Sequence, residues 1–67
     1  MTNTELLKQK IQEAGLKQNW LAEKLSISES SLSAKINGRR YFNQVEMNKI
    51  RDLLKLNKSD SEKIFFA

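Results

Sequence analysis

Residues 16–38 read Leu16-Lys17-Gln18-Asn19-Trp20-Leu21-Ala22-Glu23-Lys24-Leu25-Ser26-Ile27-Ser28-Glu29-Ser30-Ser31-Leu32-Ser33-Ala34-Lys35-Ile36-Asn37-Gly38. Leu21 and Leu25, with Ala22 beside them, give an apolar stripe at helical spacing and predict a short helix over about Gln18–Leu25. Leu32 and Ile36 repeat the spacing and predict another over about Glu29–Asn37. Ser28 is placed as its N-cap and Gly38 as the residue just past its end. A turn of about three residues, Ser26-Ile27-Ser28, joins the two. Five of the ten residues from Ser26 to Lys35 are serine, and a flexible serine-rich loop is the competing reading. The apolar face formed by Ile27, Leu32 and Ile36 favours the helix.

Outward from this block, breaks and caps divide the rest. Gly15 and Gly38 are the two glycines, and proline is absent, so these two mark the clearest interruptions. Thr2-Asn3-Thr4-Glu5 reads as a capping box with Thr2 at the N-cap and Glu5 at the third position. Asn43-Gln44-Val45-Glu46 is a weaker version, and Ser59-Asp60-Ser61-Glu62 a third. Leu7, Ile11 and Ala14 form the stripe of a first helix ended by Gly15. Met47, Ile50 and Leu54 form that of a fourth over about Gln44–Leu54. A short fifth is expected from Ser59 to about Phe65. No stretch sustains strand alternation, so the expected fold is all-α: one domain over residues 1–67, with five short helices and short connections.

Composition bounds the function. The chain has 67 residues, of which 30% are charged and 39% hydrophobic, a formal net charge of +4, and no Cys or His. That length allows one small domain, which buries only about 60% of the surface its unfolded chain exposes. Without Cys there is no disulfide, thiolate ligand or thiol nucleophile. Without His the usual neutral-pH base and the commonest metal ligand are missing. An enzyme is not expected, and neither catalytic residues, a metal nor a cofactor is assigned. No segment approaches the roughly 18 apolar residues of a membrane span, and the N-terminus lacks the apolar core of a secretory signal. The expected setting is a reducing cytoplasm. From Ser30 to Val45 there is no acidic residue, while Lys35, Arg39 and Arg40 fall inside that window. A local basic patch of this kind suits a phosphate backbone.

Two short helices across a three-residue turn have the spacing of a helix-turn-helix, with Ala22 small enough for close crossing and Ile27 plugging the turn. Glu29, Ser30, Ser33 and Ala34 are then left on the outer face and N-terminal end of the second helix, the part that enters a major groove. On Gln18, Leu21, Ala22 and Leu25, then Ile27-Ser28, Leu32 and Ile36-Asn37-Gly38, the chain resembles the Cro/repressor-type, lambda-repressor-like helix-turn-helix family, over roughly Glu5 to Leu56. Its length and its ending Ile64-Phe65-Phe66-Ala67 look like small Cro-like regulators of Gram-positive phages and prophages. The resemblance implies a repressor acting by operator occupancy, with a double-stranded DNA operator as partner, read as a homodimer. It implies base contacts at Glu29, Ser30 and Ala34, with Ser33 beside them, and phosphate contacts at Gln18 and Asn37. Ser28, Lys35, Arg39, Arg40 and Tyr41 complete the set expected at phosphates. Three departures stand out: Ser26 replaces a common glycine, Lys17 a common Ser or Thr cap, and Glu29 a common Gln.

Each residue also has a plainer role. Gln18 and Asn37 serve as exposed caps, Glu29 complements a helix dipole, and Arg39 and Arg40 act as solubility charges. Trp20 is a partly buried cover, while Tyr41 and Phe42 anchor their loop to the core. Ile64, Phe65 and Phe66 pack on the first helix by default. They exceed what one short helix buries on one face, so at least one is expected to be exposed. With Trp20 they are the candidate surface for self-association or for a partner protein. The alternative function is thus an antirepressor or modulator that binds a partner repressor protein through the same fold.

Overall fold

The computed structural model describes residues 2–66. Within them the chain forms five helices and no strand: α1 Thr4–Glu13, α2 Gln18–Leu25, α3 Glu29–Ile36, α4 Gln44–Leu54 and α5 Lys58–Phe65. The second and fourth have the bounds expected from their apolar stripes. Ser28 caps α3, accepting a 3.1 Å bond from the Ser31 N–H. Asn43 and Glu46 form the full reciprocal capping box on α4. Asn37 is the C-cap of α3 rather than its last residue.

The other two boxes are corrected. Asn3, not Thr2, caps α1 and accepts from the Leu6 N–H at 3.1 Å. Its own N–H donates to the Ile64 carbonyl at 2.6 Å, and this long-range tie to α5 fixes where α1 begins. Asn57, not Ser59, caps α5 and accepts from the Asp60 N–H at 2.7 Å, so Ser59 lies inside the helix. In both cases asparagine one or two residues from a Ser/Thr signal takes the cap, as its strong N-cap preference allows. Lys17 makes no side-chain cap bond to α2.

Each helix supplies one fully buried aliphatic residue to a common centre: Leu7, Leu21, Leu32, Ile50 and Ile64. Burying a side chain of this size stabilises by about 2–3 kcal/mol, and five that meet in one cluster hold all the helices together. Ala22, Leu25, Ile36, Phe42 and Phe65 complete the core. Ile27 packs half-buried against it, closing the turn between α2 and α3. The helices of that pair pack on each other, while α1 lies on α3 and α5, and α4 on α2. Phe42 and Phe65 meet edge to face with ring centres 5.9 Å apart, pinning the loop before α4 to α5.

Ser26, the C-cap of α2, is left-handed at φ 59° and ψ 39°. A Cβ in that region costs about 1 kcal/mol that glycine avoids. Ser26→Gly is therefore expected to stabilise the chain by roughly 0.5–1 kcal/mol, read as a higher urea midpoint at unchanged slope. An unchanged midpoint would mean that the left-handed turn carries no strain.

Candidate nucleic-acid interface

The candidate surface begins at the N-terminal end of α3. Glu29 and Ser30 are exposed there. The Ser30 hydroxyl lies 3.3 Å from that of Ser28, so the two hydroxyls form a small polar cluster at the cap. Ser33 and Ala34, one turn on, are half-buried. The Ser33 hydroxyl accepts from the Asn37 carboxamide at 3.3 Å, and the same carboxamide donates to the Ser33 carbonyl at 2.8 Å. Asn37 is thus exposed, with its carboxamide bonded to Ser33 at the C-terminal end of α3. Gln18 is exposed in the first turn of α2.

Lys35 is corrected. It was expected at a phosphate, but its ammonium is bound to both carboxylate oxygens of Glu46, at 2.7 and 2.6 Å. The pair is nearly closed to solvent, with side-chain exposures of 14% for Lys35 and 6% for Glu46. A cation held this way ties α3 to α4 and is not available to a ligand. Burial pushes the Glu46 carboxyl up. The hydrogen bonds from Lys35 and from the Asn43 N–H, with the charges of Lys35 and Arg40, outweigh it and hold the group below the usual carboxylate range.

The basic character of this region then rests on Arg39 and Arg40. Both are exposed, and neither is ion-paired among the described residues. Their N–H groups both donate to the Ala34 carbonyl, at 2.8 and 3.3 Å, so the backbone of this loop is fastened to the end of α3. Tyr41 is 75% exposed, which corrects the expectation that it anchors the loop. Phe42 does that alone. Val45, in the first turn of α4, is 63% exposed. Its position off the Met47–Ile50–Leu54 stripe is the sequence signal for that exposure. Two arginines and a phenol on a fastened loop form a surface suited to a phosphate backbone.

The candidate association set divides. Ile64 and Phe65 are core residues, which removes them from any surface, because the turn of α5 that holds them faces the common centre. Phe66, just past the helix, is 67% exposed, as expected of at least one of the three. Trp20 is 37% exposed, with the Lys24 ammonium 5.4 Å from the ring centre. Among the described residues no helix is long and apolar enough to cross a membrane, and no group of three or more acidic, His or Cys side chains is gathered to hold a metal ion.

The model of a protein family described as "Protein of unknown function (DUF739)" matches residues 3–67. The chain belongs to that family. Neither the curated proteins nor the solved structures gave a match.

Proposed function

We propose that this DUF739 chain is a sequence-specific DNA-binding transcription regulator, a Cro-like phage or prophage repressor that acts by occupying its operator in the bacterial cytoplasm. In this reading α2, the three-residue turn and α3 are a helix-turn-helix, and α3 lies in the major groove. Glu29 and Ser30 meet base edges first, with Ser33 and Ala34 deeper along the helix. Glu29 accepts from a cytosine amino group, and the Ala34 methyl packs on a thymine methyl. Gln18, Ser28, Arg39, Arg40 and Tyr41 meet phosphates and set the register. Two chains read two half-sites one helical turn apart. The protein binds rather than catalyses.

The observation that carries this reading is the fastened loop after α3. It places two arginines, unpaired among the described residues, and an exposed tyrosine directly beyond a short helix whose N-terminal end is exposed and which follows a three-residue turn. The exposed Phe66 and Trp20 favour a second reading, in which the same fold binds a partner repressor protein.

Selection from a random duplex pool tests the reading face. The wild-type chain is expected to recover one shared sequence, and Ser30→Arg a sequence changed at one or two positions with guanine gained, since Arg pairs with the guanine edge. If wild type recovers no shared sequence, the repressor reading fails and the partner-protein reading stands. If Ser30→Arg recovers the wild-type sequence, α3 is not the reading element.

A further inference from the structure

A cleft of about 190 Å³ lies between the N-terminal segment and the loop after α3, lined by Thr2, Thr4, Gly38, Arg40 and Tyr41. Each polar side chain in that lining ends in an O–H or N–H donor, and the one formal charge, on Arg40, is positive. No carboxylate lines it.

Both walls are held in place. On one side the Asn3 N–H is bonded to the Ile64 carbonyl at 2.6 Å while its carboxamide caps α1. On the other, the Arg39 and Arg40 N–H groups are bonded to the Ala34 carbonyl. Gly38, at φ +81°, lets the walls approach, since a Cβ there would come within 3.3 Å of the Thr4 Cγ2. Thr4 is also the first residue of α1, whose N-terminus carries partial positive charge. Near the C-terminal end of α3 the carbonyls of Ser33, Ala34 and Lys35 accept from the N–H groups of Asn37, Gly38, Arg39 and Arg40. A small cleft lined by hydroxyl-bearing residues and one arginine, with no acid in its lining, matches a phosphate group.

We propose that this cleft seats one phosphodiester of the DNA backbone, with Thr4 and Arg40 as principal donors. The inference rests on the DNA-binding reading above. It adds the N-terminal segment to the interface, at the opposite end of α3 from Glu29 and Ser30. Eight residues of helix separate the two ends by about 12 Å, so contacts at both fix the tilt of α3 as well as its register.

The test uses the selected duplex with single phosphates replaced by neutral methylphosphonates, against wild type, Thr4→Val and Thr4→Ser. Thermal unfolding confirms that each variant is folded. One flanking position is expected where neutralisation weakens wild-type and Thr4→Ser binding about tenfold, a loss typical of one charged hydrogen bond, and Thr4→Val binding clearly less, since only the Arg40 contact is then left to lose. If Thr4→Val keeps the wild-type pattern, the proposal is overturned while the DNA-binding reading survives. A second arm needs no DNA: inorganic phosphate is titrated into isotope-labelled protein. Shifts of the Thr4 and Gly38 amides that Thr4→Val abolishes support the anion seat. The same shifts in a chain with no DNA preference would assign the seat to a free phosphate compound and overturn the diester.

Discussion

Glu46→Ala is expected to destabilise the chain by on the order of 3 kcal/mol, the loss typical of removing one partner from a buried ion pair. The substitution leaves the Lys35 ammonium, on a side chain only 14% exposed, without the two carboxylate oxygens that hold it. It also deprives the Asn43 N–H of its 2.9 Å acceptor and so opens the capping box on α4. A chain of 67 residues has a total stability of about 3–10 kcal/mol, so this one change removes a large share. Urea unfolding is the measurement, and a loss below about 0.5 kcal/mol, the range of an ordinary surface change, would show that the pair does not hold α3 on α4. Replacing both partners, Lys35→Met with Glu46→Leu, is expected to recover most of the loss, because no charge is then left buried.

The same pair sets an acid limit. The folded Glu46 carboxyl titrates below its ordinary value, which in an unfolded chain is about 4.3. Its contribution is thus fully present above that value and is lost as pH falls through the lower, folded one. Between pH 7 and pH 3 wild type should lose more stability than Glu46→Gln, which carries no titrating group there. Equal losses would place the acid sensitivity elsewhere.

Arg39→Ala combined with Arg40→Ala is expected to weaken binding to the selected duplex by about 30-fold, at roughly 1 kcal/mol for each exposed charged contact. The salt dependence should flatten by nearly two units of slope, since each arginine displaces about 0.9 of a counterion. Stability should change little, because both side chains are exposed and unpaired among the described residues. An unchanged slope would remove the loop from the DNA interface. Retained binding to a partner repressor protein in the double variant, with wild-type DNA binding weak from the start, is the pattern of the second reading.

Local signals explain what the sequence revealed of this fold. The bounds of α2 and α4 follow from apolar stripes, and the close of α1 shortly before Gly15 from a residue type that takes the left-handed φ of 70° freely. Among the neighbouring serines, Ser28 was legible as the cap because it stands directly before the helix that Leu32 and Ile36 define, with Glu29 in its first turn. At Asn3 and Asn57 an asparagine competes with a serine or threonine signal, and at Asn3 the decision falls to a bond with Ile64, 61 residues away in sequence. Lys35 shows the same limit in the candidate surface. Its charge is visible in the sequence, but only the fold, which packs both α3 and α4 on α2, brings Glu46 to 2.6 Å and takes Lys35 out of the basic patch. Tyr41 and Phe42 are neighbours in sequence with opposite fates, because Phe65 waits on one side of the loop only. Ile64, Phe65 and Phe66 divide the same way, since α5 ends between the last two. The donor-lined cleft between the chain's first residues and the loop after α3 leaves no mark in the sequence.

A salt-titrated binding assay on the wild-type chain tests the central claim most directly. DNA from the chain's own gene neighbourhood is the target, and an excess of unrelated DNA the competitor. Binding that survives the competitor and falls steeply with salt is the result the account predicts, and a footprint would then show half-sites one helical turn apart. Weak binding that the competitor removes would contradict it.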